Sequence, residues 1–230
     1  MSWFDAAGAG EVRPDRLAAQ VIVIAKEPVA GRVKTRLTPA LSPATAAALA
    51  EAALADTLDV VAASAVSRRV LALDGAPGYW LPAGFDLIAQ RGDGLDERLA
   101  AAFADTHAVA PLPMVLIGMD TPQVTTDLIR DAAQSLVSGE ADAVFGPAED
   151  GGFWLLGLAR PDRSLLAGVP MSQPDTGRVQ LERLASAGLR VALAPRLTDV
   201  DTFDTAEQVA GQIPDSRFAA AFKSSAGALH

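Results

Sequence analysis

The chain has 230 residues, a formal net charge of −9 and 50% apolar residues, with a pI near 4.7. This length and apolar content suit one domain with a large core that needs no staple, and zero cysteines remove disulfides and thiolate metal sites. The acidic balance argues against a nucleic-acid surface, which needs a basic face, and no apolar run reaches the roughly 18 residues of a membrane span.

The first residues, MSWFDAAGAGEVRPDRLAAQ, carry acids and lack an apolar segment behind a basic start. They do not read as a signal peptide, so a cytoplasmic protein without a membrane partner is expected. Residues 21–25 (VIVIA) form a β-branched apolar run that predicts a strand buried on both faces of a parallel sheet. Residues 43–63 predict the first long helix, with Ser42 as cap, Pro43 at the first helical position and an alanine-rich interior. Short apolar runs at 70–73, 87–89, 114–118, 143–145, 153–158 and 191–194, bounded by Gly, Pro or Asp, predict further strands. Helices are predicted among them at 95–108, 126–137, 177–187 and 205–212. Such alternation implies right-handed crossovers and a three-layer α/β/α domain around a mostly parallel sheet. One unit spanning 1–230 is expected, with an ordered core of about 19–213 and loosely held ends at 1–18 and 214–230.

Ligands of open parallel sheets bind beyond the C-terminal ends of the strands, so chemistry is expected in the loops that follow strands. The loop at 25–37, AKEPVAGRVKTRL, carries Lys26, Gly31, Arg32, Lys34 and Arg36, a local cationic site in an acidic chain. It reads as a phosphate-binding loop or as a solvated basic turn. Val33 before Lys34 rules out a P-loop, and no G-x-G-x-x-G follows the strand. With no obvious acidic partner nearby in sequence, its four cations are expected to repel one another and leave the loop mobile.

After the 114–118 strand, GMDTP places Asp120 at a strand end, as a ligand for a hard cation or as a turn residue. Residues 198–204, TDVDTFD, offer Asp199, Asp201 and Asp204 as a second carboxylate. Asp204 suits the cap or first turn of the next helix, which favours Asp201 as the ligand. The segment AEDGGFWLLGL at 148–158 sets Asp150, Gly151 and Gly152 either in a close backbone approach to a ligand or in a plain hairpin turn. Gln90 and Gly92, in QRGDG ahead of the second helix, read as an anion site or as a turn. With His107 and His230 as the two histidines and no G-x-S-x-G, a histidine-dependent triad or zinc site is close to excluded. The chemistry must run on carboxylates, cations and metal.

Taken in order, AKEPVAGRVKTRL, QRGDGLDERLAAAF, LIGMDTP, PAEDGGFWLLGL and DVDTFDT resemble a bacterial family of GT-A-like transferases. That family, domain of unknown function 2064 in the nucleotide-diphospho-sugar transferase superfamily, is similar to phospholactate guanylyltransferase. The match runs from about residue 21 to 209. The resemblance implies a GT-A fold, a basic loop over nucleotide phosphates, Mg²⁺ or Mn²⁺ held by Asp120 and the aspartate of DVDT, and a DGG turn facing the acceptor. Met171, Ser172 and Gln173 stand where relatives often show Trp-Ser-Thr.

Three functions follow as expectations. A nucleotidyltransferase would take a nucleoside triphosphate and a small phosphorylated acceptor and release pyrophosphate, with Lys34 and Arg36 offsetting charge. A glycosyltransferase would use the same metal on a nucleotide-sugar, with Asp150 or Glu149 as base. A non-catalytic nucleotide-binding module on the same scaffold is the third.

Overall fold

The computed structural model describes residues 16–38 and 40–226. Its strands are β1 (Leu17–Lys26), β2 (Val66–Asp74), β3 (Asp86–Ala89), β4 (Met114–Gly118), β5 (Ala143–Pro147), β6 (Phe153–Leu158) and β7 (Val191–Leu193). Its helices are α1 (Pro43–Ala63), α2 (Leu95–Val109), α3 (Thr126–Val137), α4 (Thr176–Ser186), α5 (Phe203–Gln212) and α6 (Arg217–Ala226). All seven strands join one sheet in the order β3-β2-β1-β4-β6-β5-β7. β6 runs antiparallel to both β4 and β5, and every other pairing is parallel. The expected mostly parallel α/β architecture is therefore present. No described helix is long and apolar enough to cross a membrane.

Alternation along the strands divides the core. Val21 and Val23 of β1, Leu71 of β2 and Ile117 of β4 pack with Leu54, Leu58 and Val61 of α1 and Ile129 and Leu136 of α3. Ile22, Val70 and Leu116 point to the other face, against Leu99 and Phe103 of α2 and Leu184 of α4. Ser42 caps α1 by accepting from the Thr45 N–H at 3.1 Å, and Pro43 opens its first turn.

A third cluster lies on the outer side of α1. Leu49 and Ala53 of α1, Leu37, Val200, Val209 of α5, and Phe218 and Phe222 of α6 bury together. This corrects the expectation of a loose C-terminal end. Phe218 is fully buried, and Asp56 of α1 accepts from the Phe218 N–H at 2.9 Å. The i,i+4 spacing of Phe218 and Phe222 gives α6 one apolar stripe, which the alanine- and serine-rich composition masks. At the other end β1 begins at Leu17, paired with Val66, while the expectation for residues 1–15 lies outside the described residues.

The topology fixes where function can sit. β1, β4 and β5 all end at the same sheet edge, so the loops after Lys26, Gly118 and Pro147 converge there. Because β6 returns antiparallel beside β5, the turn between them stays at that edge. Truncating a fully buried phenylalanine costs about 3–5 kcal/mol. Phe218→Ala should therefore lower the urea midpoint by that equivalent at unchanged m-value, whereas an unchanged midpoint would return α6 to the class of loose ends.

Candidate nucleotide and metal site

The basic loop is built by its apolar residues. Val33 and Leu37 are buried, which pins the chain on both sides of Lys34 before a 3-10 turn at Thr35–Leu37. Lys34 itself sits at φ 50° and ψ 39°, the left-handed region that non-glycine residues avoid at a cost of roughly 1–2 kcal/mol. Its side chain is compensated: Nζ lies 2.5 Å from Asp120 Oδ1 and donates to the Val200 carbonyl. Only 8% of the Lys34 side chain is exposed, against 45% for Asp120. The Val200 N–H donates to the Asp120 carbonyl at 2.8 Å, closing a three-residue junction between the ends of β1, β4 and the segment before α5. Beside it, Arg36 Nη1 donates to Asp201 Oδ2 at 2.5 Å.

These pairs correct the expectation that the loop's four cations are left to repel one another. Two of the four meet carboxylates brought in from distant parts of the chain, and the loop is tethered rather than driven outward by self-repulsion. Lys26 and Arg32 are exposed and form no ion pair among the described residues. Gly31, at φ 78°, borders open space.

Asp199 is the residue that sequence reasoning passed over. Its Oδ1 is buried without a hydrogen-bond partner among the described residues. Burial pushes its carboxyl up to about 7, and the charges of Asp150, Asp120 and Asp201 push the same way while Lys34 opposes them. Asp120, Asp150, Asp199 and Asp201 therefore share one neighbourhood with Lys34. Arg36 belongs to it too, being held protonated first by its hydrogen bond to Asp201 and in smaller part by Asp150. Asp199 stands between Thr198 and Val200, both buried, and the apolar Val200 beside it is the one signal in the sequence. Asp204 lies in the first turn of α5, whose cap is Thr202.

The turn between β5 and β6 is a hairpin, one of its two expected forms. Asp150 is exposed, and its Oδ1 accepts from the Gly152 N–H at 2.8 Å. Gly151 adopts φ 89°, and a Cβ there would meet the Pro174 carbonyl at 1.8 Å. The Gly177 N–H donates to the Gly151 carbonyl at 2.8 Å. The glycines thus admit the 170s loop and the start of α4 to the turn, and the close approach they permit is to protein backbone. Ser172 of Met171-Ser172-Gln173 is the second left-handed non-glycine among the described residues, at φ 58°.

Gln90 stands at the same sheet edge but its amide is engaged, donating to Ala25 and Ala72 carbonyls at 2.7 and 2.9 Å. Gly92 folds back on α2, where its carbonyl accepts from Arg98 at 3.2 Å and a Cβ would meet Glu97. Among the described residues neither hydrogen-bonds to the aspartate cluster.

Among the described residues no three acidic or histidine side chains form a ready-made metal cage. Coulombic influence reaches further than a metal–ligand bond, so this agrees with the shared neighbourhood of the four aspartates. The donor set fits a hard cation of the magnesium type, which takes one or two carboxylates and completes its shell with water and phosphate oxygens.

The fold is that of the nucleotide-diphospho-sugar transferases. A protein from Desulfovibrio desulfuricans G20 assigned to that class superposes with a TM-score of 0.83 at 24% identity, covering 92% of this chain and 96% of that one. CMP:2-keto-3-deoxy-manno-octonic acid synthetase complexed with CTP superposes at 0.53 and 14% identity, over 85% and 98% of the two chains. Rv0371c from Mycobacterium tuberculosis H37Rv, in complex with manganese, gives 0.52 and 20% identity over 84% and 98%. Residues 43–173 match the family described as uncharacterized protein conserved in bacteria (DUF2064), and the chain belongs to that family. No curated protein matches its sequence.

The Asp199 carboxyl titrates at an ordinary 3.8 in the unfolded chain and at about 7 in the folded one. The folded state therefore holds the extra proton across that interval, and this group's contribution to stability, complete below the lower value, is lost as pH rises through the upper one. In metal-free buffer, Asp199→Asn should gain melting temperature relative to the parent as pH rises from 4 to 7.5. A gap that does not change with pH would mean that Asp199 ionises normally.

Proposed function

We propose that the protein is a cytoplasmic nucleotidyltransferase that uses Mg²⁺ or Mn²⁺, a nucleoside triphosphate and a small phosphorylated acceptor, and releases pyrophosphate. The observation that carries this reading is the meeting, at the ligand-binding edge of the sheet, of Asp120, Asp150, Asp199 and Asp201 with Lys34 and Arg36. Asp120 and Asp201 would hold the divalent ion, whose chemistry is to polarise the α-phosphate and offset charge there. Lys34 and Arg36 then supply positive charge to the β- and γ-phosphates, where negative charge grows as pyrophosphate leaves. Lys26, Gly31 and Arg32, exposed along the same loop, extend the nucleotide-binding rim.

A phosphorylated acceptor brings its own anionic nucleophile, so no side-chain base is required. Asp150 and the Gly151–Gly152 backbone then serve to bound the acceptor. Two structural neighbours add support, one complexed with CTP and the other with manganese.

Glycosyl transfer is the second reading, favoured by the class assigned to the Desulfovibrio protein and by the exposed Glu149 and Asp150, either of which can act as base for a hydroxyl acceptor. The products separate the two. With nucleoside triphosphate, Mg²⁺ and phosphorylated acids, pyrophosphate should appear. Arg36→Ala should then lower kcat by roughly 10-fold or more with a smaller change in nucleotide affinity, as for an interaction that strengthens in the transition state. Release of a nucleoside diphosphate from a sugar nucleotide, with no triphosphate present, would replace this reading by the second.

A further inference from the structure

Two of the loop's four cations rest on the two carboxylates assigned above to the metal. The pairs differ in depth. Arg36 is 68% exposed, so its contact with Asp201 is screened by water and worth little. Lys34 is 8% exposed and doubly held by Asp120 and the Val200 carbonyl. An ammonium and a divalent ion on one carboxylate repel each other, so the two compete for Asp120. A polyphosphate that drew Lys34 away without a metal would strand Asp120 beside Asp150, Asp199 and Asp201, with its own charge added. A metal arriving alone would leave a buried ammonium without its counter-charge, held by the Val200 carbonyl alone. When both arrive, each charge finds a partner: the carboxylates take the metal and Lys34 takes phosphate.

We infer that Lys34 is the resident counter-cation of Asp120 and that the site accepts divalent metal and polyphosphate as one complex, binding each of them weakly alone. This rests on the nucleotidyltransferase reading and deepens it by naming the ligand that is selected, the metal–polyphosphate complex. Lys34 acts here as a positioning residue as well: it draws the Asp120 carboxylate toward the Val200 segment, so a ligand that replaces it meets carboxylates already gathered. Linkage makes the coupling reciprocal, so metal must raise polyphosphate affinity by the same factor by which polyphosphate raises metal affinity.

Titration calorimetry on the full chain tests this without any turnover. Mn²⁺ is titrated without nucleotide into the parent, Lys34→Met, Lys34→Arg and Arg36→Gln, with the melting temperature of each confirming a folded sample. Removing a buried competitor should tighten Mn²⁺ binding by about 10-fold or more in Lys34→Met. Lys34→Arg should restore weak binding, and Arg36→Gln should gain only about 2-fold. In a second arm, a non-hydrolysable triphosphate analogue should bind the parent roughly 5- to 150-fold more tightly with Mn²⁺ than with EDTA. Unchanged or weaker Mn²⁺ binding by folded Lys34→Met overturns the inference. If that variant does not fold, the second arm decides, and equal analogue affinity with and without Mn²⁺ overturns it. A parent that binds no triphosphate at all, while Lys34→Met still tightens Mn²⁺, upholds the counter-cation role and removes the nucleotide reading instead.

Discussion

Val200 fixes the site because it is bonded in both directions at once. Its N–H donates to the Asp120 carbonyl at 2.8 Å, and its own carbonyl receives the Lys34 ammonium. Its side chain is buried with Leu37, Leu49, Val209 and Phe218. The junction draws together residues 166 apart in the chain, and the packing of α5 and α6 on α1 holds it from behind. The positions of Asp199 and Asp201 follow directly, since one lies on each side of Val200. A buried apolar residue flanked by two aspartates delivers carboxylates to an edge they would avoid if their own charges decided the matter.

Electrostatics there is unbalanced by construction. At the sheet edge, burial and the charges of Asp150, Asp120 and Asp201 raise the cost of ionising Asp199, and Lys34 returns only part of it. A purely structural site would relax this strain by spreading its charges into water. Instead Asp199 keeps a buried oxygen without a partner among the described residues, and Lys34 keeps a left-handed backbone. Unrelieved costs of this kind collect where a ligand completes the arrangement.

The sequence made the sheet and helices legible because short continuous apolar runs alternate with longer stretches that carry helix signals. VIVIA, MVLIG and FWLLGL could bury only as strands, and Pro43–Ala63 carried its cap and its first-turn proline. The strands also place Asp120 and the basic loop at one sheet edge, through topology alone. Long-range pairing was not legible: nothing near Lys34 or Arg36 in sequence announces Asp120 or Asp201, and local charge suggested repulsion where the fold supplies partners. The sequence leaves Gly151 and Gly152 open between a ligand approach and a hairpin turn, and in the fold Pro174 occupies the space that the missing Cβ of Gly151 leaves. α6 was missed because two phenylalanines carry its only large apolar contacts in a run of alanine and serine. Asp199 was set aside because a choice among neighbouring aspartates depends on which one the fold buries, and burial is a tertiary property.

The central claim is that the edge cluster binds divalent metal and nucleotide polyphosphate together. Anomalous diffraction from crystals grown with Mn²⁺ and a non-hydrolysable nucleoside triphosphate measures it most directly. The account predicts one manganese peak in contact with Asp120 and Asp201 carboxylate oxygens and with phosphate oxygens, with Lys34 Nζ moved from Asp120 to a phosphate. A manganese bound elsewhere, or Lys34 still on Asp120 with nucleotide and metal both in place, would contradict it.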